Sequence, residues 1–94
     1  MSRAFVKEDD GYEPEPTFAL PEPDSPGYDE AAAWALIEGA HQGHTRSAER
    51  ATGYRWGEPT LVAHVRAIRD HAEAKGEDRI AQLARRYLRA AEAR

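Results

Sequence analysis

The stretch that decides the fold is residues 29–41, DEAAAWALIEGAH. Ala31, Ala32 and Ala33 favour a helix because alanine has no side-chain entropy to lose. Ala33, Trp34, Ile37, Ala40 and His41 then fall at i, i+1, i+4, i+7 and i+8, the spacing of one apolar helical face. Asp29 stands where an N-cap is expected, with a carboxylate to receive the first backbone N–H groups. The stretch predicts an amphipathic helix over about 29–41. Gly43, just beyond it, is placed to end it in the left-handed conformation.

The same punctuation recurs outward along the chain. Gly53 and Gly76 each follow an Ala-rich or apolar-periodic run, so three glycines divide the sequence into four helices. The second is short, about 45–52, opened by Thr45 as N-cap. The third begins at Pro59, which suits a first helical turn, and ends near Lys75 with Leu61, Val62, Val65, Ile68 and Ala72 inward. The fourth starts at Glu77 and Asp78, acids well placed for the helix dipole. It carries Ile80, Leu83, Ala84, Tyr87, Leu88 and Ala91 at helical spacing. The expected fold class is all-α, a small bundle of three to four helices spanning residues 28–94.

Residues 1–27 read differently. Five of the six prolines lie here, at Pro14, Pro16, Pro21, Pro23 and Pro26. Alternating prolines fix φ, remove backbone donors and push the preceding residues out of helical conformations. A disordered, acidic, Pro-rich arm without helix or sheet is expected. Phe5, Phe18 and Leu20 are its apolar anchors, able either to dock into a partner's groove or to fold back on the chain's own small domain.

The net charge of −4 conceals a division. Residues 1–30 hold two basic side chains against nine acidic ones, a net −7, whereas residues 31–94 hold eleven against eight, a net +3. Segments of opposite sign attract each other, or serve different partners. The absence of cysteine excludes disulfides and every cysteine-ligated metal site. With no apolar run long enough for a signal peptide or a membrane span, a cytoplasmic location is expected.

Catalytic chemistry finds no foothold in the sequence. There is no nucleophile elbow, no phosphate-binding glycine loop and no His-Glu-x-x-His pattern. His41 and His44 straddle Gly43, and His64 and His71 lie seven apart without carboxylates at ligand spacing. No enzyme, cofactor or metal is expected. Binding is a better prospect. Tyr54, Arg55 and Trp56 place two aromatics around an arginine, either as a contact surface or as a plug where the second and third helices diverge. Arg85, Arg86 and Arg89 could meet an acidic partner or nucleic-acid phosphate.

The opening Met1-Ser2-Arg3-Ala4-Phe5-Val6-Lys7-Glu8, followed by an acidic Glu/Pro segment, resembles the N-terminal leader of some bacterial Gre-type transcript-cleavage factors and their relatives. The likeness covers about ten residues. It implies a bacterial cytoplasmic setting and a link with transcription, with RNA polymerase or an associated factor as partner. The chain lacks that family's long antiparallel coiled-coil pair and its metal-holding acidic tip, so none of the family's functional residues carry over. The expected function is a non-enzymatic protein-binding module, an accessory of the transcription machinery. The alternative is a small nucleic-acid-binding helical domain regulated by its acidic arm, and self-association is a further possibility for so small a core.

Overall fold

The computed structural model describes residues 16–94. Among the described residues four helices follow one another, α1 (Tyr28–His41), α2 (Thr45–Thr52), α3 (Val62–Lys75) and α4 (Asp78–Glu92), with a 3-10 turn at Pro59–Leu61 leading into α3. No strand occurs among the described residues, and the fold is an all-α bundle. Helices α3 and α4 form the most extensive pair, while α1 packs against α2, α3, α4 and the 3-10 turn.

The central place of α1 explains a difference from its predicted pattern. Ala32, Ala33, Ala35, Leu36, Ile37 and Gly39 are all buried. They occupy more than half of the helix circumference at 100° per residue. A helix packed from several sides needs small residues where neighbours approach closely, and the alanine run supplies them. His41, expected on the apolar face, is exposed, and the large Trp34 ring is only half-buried at the edge.

The helix ends follow the glycines. Gly43 has φ 79°; its N–H donates to the carbonyl of Ala40 and that of His44 to Gly39 at 2.7 Å, the paired bonds of a Schellman ending. Gly76 ends α3 in the same way, with the Glu77 N–H donating to the carbonyl of Ala72 at 2.8 Å. The N-caps differ from expectation. Gly27 and His44 occupy those positions in α1 and α2, and neither end has a side-chain cap. Asp29 lies one residue inside α1, where it favours the helix dipole and accepts a hydrogen bond from elsewhere. Thr45 is the first residue of α2, because the preceding His44 is already tied to Gly39.

The core joins Leu36 and Ile37 of α1, Ala48 of α2, Leu61, Val65 and Ile68, and Leu83, Ala84 and Tyr87 of α4. Ile80 and Leu88 are half-buried against it, and Val62, expected inward, is half-buried outside that cluster. Among residues 16–27 there is neither helix nor strand. Phe18 nevertheless packs against the core, its ring beside Gly39, so this part of the Pro-rich stretch folds back on the bundle.

Tyr87 is the largest fully buried side chain. Its hydroxyl donates to the carbonyl of Glu58 at 2.8 Å, fastening α4 to the segment ahead of α3. Burial, and after it the nearby Glu58 carboxylate, hold this phenol well above the ordinary tyrosine range. A raised folded value means that stability is fully present below about pH 10, where the unfolded phenol ionises, and is lost as pH rises beyond it. Urea unfolding at pH 9 and pH 11 is expected to show a lower midpoint at pH 11. The Tyr87→Phe variant should lose less over the same interval; an equal loss would put the effect elsewhere.

Candidate docking face

The loop between α2 and the 3-10 turn positions the most distinctive group of side chains. Thr52, buried at the end of α2, donates from its hydroxyl to the carbonyl of Ala48 and accepts from the N–H of Tyr54. Its own carbonyl receives the Tyr28 hydroxyl at 2.7 Å. The Tyr54 hydroxyl donates to Oδ1 of Asp29, also at 2.7 Å, and that bond is the main reason its phenol too is held above the ordinary range. Two tyrosines thus bind the loop to the start of α1.

Trp56 is fixed from three directions. Its N–H donates to the Glu49 carboxylate at 2.8 Å, its carbonyl accepts from Arg94 at 3.3 Å, and its ring meets Tyr87 edge-on with centroids 5.0 Å apart. Gly57 then turns with φ 88° against α4, where a Cβ would lie 3.1 Å from that of Ala90. Only glycine satisfies both the positive φ and this close approach. The result is a half-buried indole on a loop held by α1, α2 and α4, with side-chain hydrogen bonds at either end.

Trp56 lines two shallow depressions. One, of about 400 Å³, is lined by Arg46, Glu49, Arg55, Ala90 and Arg94 together with Trp56. The other, of about 350 Å³, is lined by Ala40, Thr45, Arg79, Leu83 and Arg86 with the same tryptophan. Five arginines therefore line the two depressions that share Trp56. Among the described residues no carboxylate pairs with Arg46, Arg55 or Arg86. Arg79 donates to the side chain of Gln82, and Arg94 to the Trp56 carbonyl, both uncharged acceptors.

The sequence-predicted residues are divided by this geometry. Arg55, Trp56 and Arg86 come together on the face. Tyr54 leaves it to join Tyr28, their centroids 6.5 Å apart. Arg85 turns toward α3 and pairs with Glu73 at 2.7 Å, while Arg89 is exposed. Phe18 lies elsewhere, beside Trp34 in a separate depression that Thr17 and Gln42 also line, and Leu20 is half-buried. Phe5 lies outside the described residues. Arg46 and Arg94 were not legible as members of the face, because they come from the start of α2 and the chain end and meet only through the fold. Among the described residues no three histidine or acidic side chains converge as metal ligands, and no helix is long and apolar enough to cross a membrane.

Compared with protein-family models, with curated proteins and with solved structures, the chain matches none.

Proposed function

We propose that this chain is a non-enzymatic protein-binding module that docks an acidic protein segment on its arginine face. The observation that carries this reading is Trp56, half-buried and held in place, with Arg46, Arg55, Arg79, Arg86 and Arg94 around it. Arginine and tryptophan are among the side chains that most often dominate protein interfaces, the indole through its broad rigid area and arginine through the planar, pre-organised fork of its guanidinium. Guanidinium groups receive carboxylates in paired hydrogen bonds, and the indole offers a stacking surface between them. A partner segment with carboxylates spaced around one apolar side chain fits both depressions.

Nucleic acid fits this face less well. The Glu49 carboxylate lies within it, and the whole chain carries a net −4, both unfavourable to a continuous phosphate backbone. The likeness of residues 1–10 to a Gre-type leader makes the bacterial transcription machinery the first place to seek the partner.

A co-purification experiment tests the reading. The full chain is expected to retain a stoichiometric acidic partner that the Arg46→Ala, Arg55→Ala, Arg86→Ala triple variant loses by about tenfold or more, a difference of roughly 1.4 kcal/mol. The Arg66→Ala, Arg69→Ala control, altered on another face, should retain it. Equal retention by the triple variant would remove the face from the function.

A further inference from the structure

We propose that the arginine face also receives the stripe formed by Glu30, Trp34 and Glu38 on α1 of a second copy of this chain. The chain then associates head to tail, and a partner must compete with the second copy for the same face. This rests on the reading of that face as a docking surface.

Glu30, Trp34 and Glu38 stand at i, i+4 and i+8 on α1, along a single side of the helix. Trp34 is half-buried and lines two depressions, one of about 300 Å³ shared with Glu30 and one of about 330 Å³ shared with Glu38. Among the described residues no basic side chain pairs with either carboxylate. The stripe therefore has the chemistry that the arginine face calls for, carboxylates spaced around one large apolar side chain. The spacing agrees as well. Glu30 and Glu38 are eight residues apart, about 12 Å at helical rise. Arg79 and Arg86 line the same depression and lie seven apart on α4, about 10 Å. Leu83 falls between these arginines and lines that depression with Ala40 and Trp56, as Trp34 falls between the two carboxylates. Laying α1 of one copy along α4 of another sets Trp34 against Leu83 and Trp56, with one carboxylate for each guanidinium.

A folded chain does not make this contact with itself. The stripe and the arginine face share no lining residue. Ala40, the residue of α1 that reaches the arginine face, lies about 120° round the helix from Trp34. Because the two surfaces differ, the contact is heterologous. Each docked pair keeps an open arginine face at one end and an open stripe at the other, so association continues past two copies into a ring or an open chain. A partner that takes the arginine face ends that growth, and its apparent affinity falls by the fraction of faces already filled.

The experiment compares the full native chain with two full-length variants, Arg79→Ala, Arg86→Ala and Glu30→Gln, Glu38→Gln, by sedimentation at about 150 mM salt. The native mass is expected to rise with concentration from the 10.5 kDa of one chain to beyond that of two. Each variant alone should associate at least about tenfold more weakly. Mixed together, the variants complement each other, one supplying the intact stripe and the other the intact face, and the mass stops at two chains. Nuclear magnetic resonance of the mixture reads the two indole N–H signals of the labelled component. In the labelled arginine variant Trp34 should move and Trp56 stay; in the labelled glutamate variant the reverse. A Glu-rich peptide with a central tryptophan, added to the native chain, reads the face independently. If the native chain and the mixture stay single while the peptide binds, self-docking is overturned and the docking face stands. Failure of the peptide to bind as well would overturn both. Association that survives undiminished in each variant alone would place the contact elsewhere and overturn the stripe as occupant.

Discussion

Replacing Tyr87 by alanine is expected to lower the free energy of unfolding by about 3–5 kcal/mol, the cost of emptying a large aromatic site in a close-packed core. That is a large part of the total stability of a small domain, which is typically about 5–15 kcal/mol. Two losses combine. The ring is wholly buried in the same core cluster as Leu36, Leu61 and Leu83, and the Glu58 carbonyl loses its donor. Tyr87→Phe separates them, keeping the ring and removing only the hydrogen bond, at a cost of about 1 kcal/mol. Urea denaturation followed by circular dichroism reads both variants. A Tyr87→Phe cost as large as that of Tyr87→Ala would mean that the hydroxyl, and not the packed ring, holds α4 in place. Phenylalanine should also preserve the edge-on support of Trp56, so binding at the arginine face survives in this variant.

Gly39→Ala should destabilise the chain despite placing a better helix former in the last turn of α1. Propensity alone favours alanine by about 1 kcal/mol. The crossing of α1 and α2 opposes it, because a Cβ at position 39 would lie 2.7 Å from that of Ala48 and 3.2 Å from the His44 carbonyl oxygen. Neither neighbour is the end of a flexible side chain, so the two helices must separate. Overpacking of this kind costs roughly 1–3 kcal/mol. The change of midpoint should be reversed in large part by adding Ala48→Gly, since the two positions share one contact. Additive costs in the double variant would show that the contact is not what limits position 39.

Much of this fold is legible in the sequence because its helix boundaries are written in glycine. Gly43, Gly53 and Gly76 mark helix ends through their φ preference, a local property that needs no tertiary knowledge. Apolar spacing likewise identified Leu61, Val65, Ile68, Leu83 and Tyr87 as inward residues. What periodicity could not reveal was the central position of α1. A helix packed on several sides has no single apolar face, and Gly39 in particular reads as an interruption until Ala48 is seen against it.

The candidate face was half legible. Tyr54, Arg55 and Trp56 form a recognisable group in sequence, but alternate residues of the loop diverge. Tyr54 is drawn toward Asp29 by a hydrogen bond between residues 25 apart. Trp56 is drawn toward Tyr87, 31 positions on. The contributions of Arg46 and Arg94 depend on α2 and the end of α4 meeting at that loop, and no local pattern signals it. Gly57, whose missing Cβ lets α4 approach, offered a signal in its glycine alone.

The central claim is that the arginine face recognises a discrete acidic protein segment. It is tested most directly by comparing two ligands on the full chain, at about 150 mM salt, where weak long-range attraction is screened. One is a 12-residue Glu-rich peptide with a central tryptophan; the other is a 12-nucleotide single-stranded DNA. Fluorescence anisotropy should show the peptide bound at least about tenfold more tightly than the DNA, a preference of roughly 1.4 kcal/mol that disappears in the Arg46→Ala, Arg55→Ala, Arg86→Ala variant. Tighter binding of the DNA, with affinity falling steeply as salt rises, would contradict the claim and assign the face to nucleic acid.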